Sequence, residues 1–168
     1  AADLGQIQSV CVGGTFTFSS VENLAGGSGT DTLVAADVVN TWNITGTDSG
    51  TVTGLGGGFS GMENLTGGTA VDTFTMSAGA TLSGTMAGGL SIDILNLDVA
   101  NNPYTHTVTG PGAGNVVVIA TPTVTYSSVE TQNFTNVDPG EATLIVTIPS
   151  DGSADTTDTD GDRLNNWQ

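Results

Sequence analysis

The stretch Phe18-Ser-Ser-Val-Glu-Asn-Leu-Ala-Gly-Gly-Ser-Gly-Thr-Asp-Thr-Leu33 returns almost letter for letter as Phe59-Ser-Gly-Met-Glu-Asn-Leu-Thr-Gly-Gly-Thr-Ala-Val-Asp-Thr-Phe74. The offset is 41 residues throughout, carrying Glu22 to Glu63, Asn23 to Asn64 and Asp31 to Asp72. Tyr126-Ser-Ser-Val-Glu130 is a worn copy of the first half. Gly88-Gly-Leu-Ser-Ile-Asp-Ile-Leu95 repeats the second half alone, 21 residues after Gly67. The underlying period is therefore about 20 to 21 residues, and the match at 41 reads as two periods. Units repeating at this interval stack on one another, each burying its apolar side against its neighbour.

The elements inside each period read as strands. Short runs rich in Val, Thr, Ile and Phe fall at 7–12, 15–18, 31–35, 43–45, 50–52, 72–76, 92–97, 106–108, 116–120, 123–126 and 142–148. Gly, Asn, Asp and Pro punctuate the gaps, as they do between strands. No segment keeps apolar residues at helical spacing without a Gly interrupting, so no helix is expected. The fold class is all-β. The expected architecture is a parallel β-solenoid with coils of about 20 residues, stacked about 4.8 Å apart. In it Phe18, Phe59 and Tyr126 form an inward aromatic file, and Leu24 and Leu65 an aliphatic one. Asn23 and Asn64 bond to backbone at turns, and the Gly pairs 26–27, 67–68 and 88–89 supply positive φ at corners. The alternative is an antiparallel β-sandwich, which also has many short strands at regular spacing.

Charge narrows the partners. The 168 residues hold 17 carboxylates against one Lys or Arg (Arg163), for a net charge of -16. Such a surface repels phosphate backbones and anionic membranes, so neither nucleic acid nor membrane insertion is expected. No apolar run reaches the roughly 18 to 20 residues of a membrane span. Ala1-Ala2 is compatible with a new end left after leader cleavage. Cys11 is alone, without an internal disulfide partner, and reads as a small buried hydrophobe.

Enzymatic readings find little support, and no catalytic residue is assigned. His106 is the only His, in Tyr104-Thr-His-Thr107, with no nucleophile turn beside it. The acids offer many glycosidase-like pairs, but most recur at repeat-equivalent turn positions, as structural residues do. Trp42 and Trp167 are able in principle to stack on sugar rings, though Trp42 is expected to pack in the core.

Two motifs point to calcium. Gly26-Gly-Ser-Gly-Thr-Asp-Thr-Leu-Val34 resembles the nonapeptide of RTX-type calcium β-rolls. Those nonapeptides run in tandem so that adjacent turns share the ion, whereas here they are isolated. Asp31, Asp72 and Asp93 are therefore read as turn residues bonding local amides. The second motif is the tail Asp158-Thr-Asp-Gly-Asp-Arg-Leu-Asn-Asn-Trp-Gln168. Carboxylates at i, i+2 and i+4 converge when a loop curls around a hard cation. It resembles the calcium repeats of thrombospondin type 3, dockerin and other EF-hand-like loops. That resemblance implies Asp158, Asp160 and Asp162 as ligands, with the Leu164 carbonyl and Asn166 completing the set. Arg163 stands where Gly usually makes the sharp turn, and the position of the bidentate acid falls past Gln168.

The Val-Glu-Asn-Leu-(Ala/Thr)-Gly-Gly units, over roughly residues 16–137, resemble those of very large bacterial surface proteins, the haemagglutinin-like and RTX-adhesin-like repeat proteins. The resemblance implies an extracellular, cell-surface, non-enzymatic structural role in adhesion or fibre formation, and a chain that is one piece of a longer one. On this reading residues 1–149 form the repeat domain and 150–168 an acidic tail. The strand Ala142-Thr143-Leu144-Ile145-Val146-Thr147-Ile148 is the strongest in the sequence and the candidate for pairing between subunits of a homopolymer. Calcium is the only cofactor implied. A calcium-dependent carbohydrate-binding module of a secreted protein is the second reading.

Overall fold

The computed structural model describes residues 21–118 and 123–138, and the backbone of 143–146. Every regular element among them is a strand. In chain order the first seven are β1 (Leu24–Ala25), β2 (Thr32–Val34), β3 (Asn40–Gly46), β4 (Ser49–Val52), β5 (Phe59–Ser60), β6 (Asn64–Gly68) and β7 (Asp72–Met76). They are followed by β8 (Thr85–Gly89), β9 (Ile94–Asp98), β10 (Tyr104–Gly110), β11 (Ala113–Val118), β12 (Val124–Ser127), β13 (Thr131–Thr135) and β14 (Thr143–Val146). The expected strands at 7–12 and 15–18 lie outside the described residues.

The strands form two seven-stranded mixed sheets, ordered β1-β5-β4-β3-β7-β9-β13 and β14-β10-β11-β12-β8-β6-β2. From β5 to β10 each successive strand crosses to the other sheet. Returning to the same sheet takes 21 residues here, since Thr73 pairs with Ile94 and Leu65 with Met86, both in parallel. Antiparallel pairing enters where the chain doubles back within a sheet, through β3, β4 and β5 in the first and β10, β11 and β12 in the second. The fold is thus all-β, with parallel and antiparallel ladders in both sheets.

Period-two patterning places the core. Strand β7 (Asp-Thr-Phe-Thr-Met) alternates buried and half-buried residues, as do β6, β8 and β9. Inward residues line up across the ladders. In the first sheet Trp42, Phe74 and Leu95 form one file, and Ile44, Met76, Leu97 and Phe134 another. In the second sheet Leu33, Leu65, Met86 and Tyr126 align. Side chains of both sheets join in one apolar core. Trp42 stacks on Phe74 with centroids 5.5 Å apart and meets the edge of Phe59 at 6.0 Å.

Like residues do stack, but with other members than the sequence suggested. Leu24 and Phe59 are paired with each other in the first sheet, whereas Leu65 and Tyr126 lie in the second. Phe18 lies outside the described residues. The reason is that the two near-identical copies occupy opposite sides of the molecule. The first copy runs from β1 in the first sheet to β2 in the second, and the second copy from β6 in the second sheet to β7 in the first. The 41-residue offset is therefore one local unit reused at the opposite turn. The 21-residue offset is the true return to the same sheet.

The Gly pairs also differ from expectation. Of the six, only Gly89 has a positive φ (112°). The first Gly of each pair is there for close approach. A Cβ on Gly26 would lie 1.7 Å from the Gly61 carbonyl oxygen, on Gly67 2.1 Å from that of Gly88, and on Gly88 1.9 Å from that of Ser128. The same Cβ would crowd a carboxylate oxygen of Asp31, Asp72 or Asp93. Gly67→Ala forces apart backbone on two strands and should cost about 3 kcal/mol, lowering the melting temperature by roughly 6–12 °C. Gly29→Ala meets no atom within 4 Å and has an ordinary φ, so it should leave the melting temperature unchanged or slightly raised. Paired thermal melts of the two variants check the contrast.

Candidate functional site

The turns that lead into the strands leave backbone N–H groups without a ladder partner, and burial makes that costly. The chain answers with carboxylates borrowed from the next strand. The Asn40 amide nitrogen donates to Asp72 Oδ1 (3.1 Å), that of Asp72 to Asp93 Oδ1 (2.7 Å), and that of Asp93 to Glu130 Oε2 (2.8 Å). Asn40, Asp72, Asp93 and Glu130 thus form a polar file at the starts of β3, β7, β9 and β13. At the opposite turn the Asp31 amide donates to Glu63 Oε2 at 2.6 Å.

In Asp31 and Asp72, though not in Asp93, a carboxylate oxygen bonds a local amide as the sequence reading expected. Asp31 Oδ2 accepts from Gly27 N (2.6 Å) and Asp72 Oδ2 from Gly68 N (2.8 Å). The repeat Asn residues bridge strands as well: Asn23 Oδ1 accepts from Gly58 N and Asn64 Oδ1 from Thr85 N. Asp48, at positive φ in the β3–β4 turn, grips Ser83 through both its backbone N–H and its hydroxyl. The cross-strand role of Glu63 and Glu130 was missed, although the recurring Val-Glu of the worn copy (Val129-Glu130) was its signal.

Asp93 is the exception in the file. It is fully buried, and its Oδ2 has no hydrogen-bond partner. Burial pushes its pKa above the usual carboxylate value; the Asp72 amide opposes this, and the charges of Asp72 and Glu130 add to it. The Gly88 position facing Oδ2 has no room for a side chain: a Cβ there would lie 1.9 Å from Ser128 O and 2.4 Å from Asp93 Oδ2.

His106 is buried on β10, opposite Val116 of β11, its Nε2 2.6 Å from Tyr126 Oη and its ring 5.1 Å from Phe134. Burial lowers its pKa and raises that of Tyr126. Among the described residues no acid is in hydrogen-bond contact with the pair. Trp42 is fully buried and so offers no sugar platform. Among the described residues no group of three or more His, Cys, Asp or Glu is placed to hold a metal. A shallow pocket lined by Leu97, Val99, Val118 and Val124 has room for about one water. No helix among the described residues is long and apolar enough to cross a membrane.

The calcium-type tail, with Asp158, Asp160, Asp162, Leu164 and Asn166, lies outside the described residues, as do Trp167, Cys11 and the flanks Ala142, Thr147 and Ile148 of the proposed pairing strand. The centre of that strand is β14, which pairs in parallel with β10 of the same chain, Thr105 opposite Thr143. It stands last in its sheet order, so among the described residues one of its sides is paired. No family model matches the chain, and no curated protein or solved structure matches it.

Asp93 sets a pH dependence of unusual sign. Its folded-state pKa is raised, so its contribution to stability is complete below the ordinary carboxylate value and is lost as pH climbs through the raised one. His106 acts oppositely: its lowered folded-state pKa costs stability as pH falls below the ordinary histidine value. Asp93→Asn keeps an oxygen for the Asp72 amide and removes the charge. It should raise the melting temperature at pH 8 and flatten the decline that sets in as pH rises above the ordinary carboxylate value. Circular-dichroism melts over that rise in pH check both; a variant less stable than the parent at pH 8 would contradict the assignment.

Proposed function

We propose that the chain is a short β-solenoid module of an extracellular bacterial surface fibre or adhesin, non-enzymatic, and that it assembles by stacking sheet ends on sheet ends. The observation that carries the reading is the run of in-register parallel ladders, β3·β7·β9·β13 in one sheet and β2·β6·β8·β12 in the other, with like residues filed along each. The two doubled-back segments are read as excursions from that coil path. An antiparallel sandwich remains the alternative description of two packed sheets. The sequence resemblance to haemagglutinin-like and RTX-adhesin-like repeats supports the location and the role.

The sheet ends supply the proposed means of assembly. Among the described residues the sheet orders finish in β1 and β2 on one side and in β13 and β14 on the other. Unpaired strand edges template pairing with another chain, and a head-to-tail contact that does not close gives a filament. The segment Ala142–Ile148 is the proposed pairing strand, reached through β14. Calcium held by Asp158, Asp160 and Asp162, with the Leu164 carbonyl and Asn166, would stiffen the junction. The partner is another copy or the rest of a longer surface protein. Nothing in the described residues favours the carbohydrate-binding reading, whose Trp42 platform is buried.

Negative-stain imaging and sedimentation of the full chain test the assembly. Filaments or long oligomers should form at high concentration, and deleting 142–148 should abolish them while circular dichroism shows the sheets retained. A folded full chain that stays monomeric at hundreds of micromolar sinks the proposal. For the tail, calcium at about a hundred times its Kd adds about 2.7 kcal/mol, worth roughly 5–10 °C. A melting temperature indifferent to chelator removes calcium from the account.

A further inference from the structure

Most of the large hydrophobic side chains left exposed lie on one set of turns. Val38 and Val39 precede β3, Val71 precedes β7, and Leu90 and Ile92 precede β9. All five are between 37% and 66% exposed. The ladders bring them together. Asn40 pairs with Asp72, so Val39 lies beside Val71. Thr73 pairs with Ile94 and the Asp72 amide bonds to Asp93, so Val71 lies beside Ile92. Leu90 sits next to Thr69, held by its amide to the Gly68 carbonyl. The result is a straight aliphatic file along one corner of the molecule, with one residue every ~4.8 Å.

We infer that this corner is a self-association seam, and that its occupant is the same corner of a second copy of this chain. Three observations point to a second copy. The first is pitch: a file spaced by strand separation interdigitates best with a file of equal spacing. A two-fold axis through Val71 sets Val39 of one copy against Ile92 of the other. The second is area. Five such side chains expose on the order of 500 Å² per copy, about 1,000 Å² for the pair before any polar rim, which is the scale a specific interface needs. A patch of this size is at the upper end for an isolated domain.

The third observation is charge. The net charge is -16, yet the turns 37–39, 69–71 and 90–92 carry a single carboxylate, Asp37, already accepting the Thr69 amide at 3.1 Å. Two copies therefore meet with least repulsion along this corner. The seam runs beside the stacking direction and does not use the sheet ends, so it is independent of the end-to-end reading. In a filament it would join two strands of copies side by side.

The test uses the full chain and the variant Val39→Thr/Val71→Thr/Ile92→Thr, which keeps β-branched shape at exposed positions. Sedimentation equilibrium should show side-by-side pairing in the parent, at least tenfold weaker in the triple variant, with the melting temperature of the dilute protein unchanged. Raising sodium chloride from about 20 to about 500 mM should tighten pairing, because screening relieves repulsion between acidic copies. Weakening by salt would mark a charge-driven contact and overturn the seam. So would a parent that never pairs, or a variant that pairs as tightly as the parent. A variant whose dilute melting temperature falls would mean that the chain's own residues cover the corner, and overturns it too. Long filaments one copy wide in the parent overturn the seam but leave end-to-end stacking intact; pairs without filaments support the seam and sink the stacking.

Discussion

The interaction on which the rest of the structure depends is the hydrogen bond from a turn amide on one strand to a carboxylate on the next. At each turn the ladder stops and a backbone N–H is left facing its neighbour across the stack. An unpaired buried amide costs about 1–3 kcal/mol. Asp72, Asp93, Glu63 and Glu130 remove that cost by reaching across strands. Their Gly partners make the reach possible, because the adjoining backbone must come so close that no Cβ fits at Gly26, Gly67 or Gly88. Gly and acid are thus two halves of one device. This explains why they recur together in the repeat while the residues between them drift.

The same device brings like charges into register. Asp72, Asp93 and Glu130 follow one another at strand spacing, and neutralising side chains are scarce in a chain with one Lys or Arg. The structure relieves the strain in three ways. The file begins with Asn40, a neutral amide whose Nδ2 donates to Asp72 Oδ1 and to the Ala36 and Val38 carbonyls. It ends with Glu130, exposed to water. In the middle, where neither remedy is at hand, the pKa of Asp93 is raised by burial and by its acidic neighbours, which makes protonation easier there than at an ordinary carboxylate. Repetition of a favourable turn thus carries an electrostatic cost that grows with each added strand. Three consecutive carboxylates are held only because the ends of the file are neutral or wet.

Much of this was legible in the sequence, and the failures have a common cause. The all-β class, the strand at 72–76, the 21-residue spacing and the bonding roles of Asn23, Asn64, Asp31 and Asp72 all follow from local pattern. The strand limits at β6 and β8 did not, because Asn-Leu-Thr-Gly-Gly and Thr-Met-Ala-Gly-Gly look like turn sequence. Their glycines are in strands for want of space, not for want of φ. The sheet to which each copy belongs was not legible at all. The excursion through β3, β4 and β5 uses chain without crossing between sheets, so the next copy begins at the opposite turn. That displacement depends on the antiparallel pairing of Trp42 with Val52 and of Gly50 with Phe59 in consecutive strands, which no period in the sequence records. Of the candidate site, the local bonds were readable and the cross-strand ones were not. Their separations of 21, 32 and 37 residues share no single interval.

The outer surface follows the strand register as the core does. Strand faces that look away from the core carry Thr and Asn: Thr73 and Thr75 on β7, Asn96 on β9, Asn133 on β13. The Asn133 amide bonds to Asn96, so even the solvent side follows the strand register. Such faces keep β-branched stiffness yet present hydroxyls and amides to water, which discourages face-to-face sheet packing. Most of the exposed aliphatic residues among those described fall on the corner turns, where Val39, Val71 and Ile92 align; Val34 on β2 and Val117 on β11 are the others. The two contacts proposed above lie in two directions, the sheet ends along the stack and the aliphatic corner beside it. High β-propensity carries a risk of disordered aggregation. Polar faces and a large negative charge disfavour other meetings of copies, and both proposed contacts follow the register of the strands.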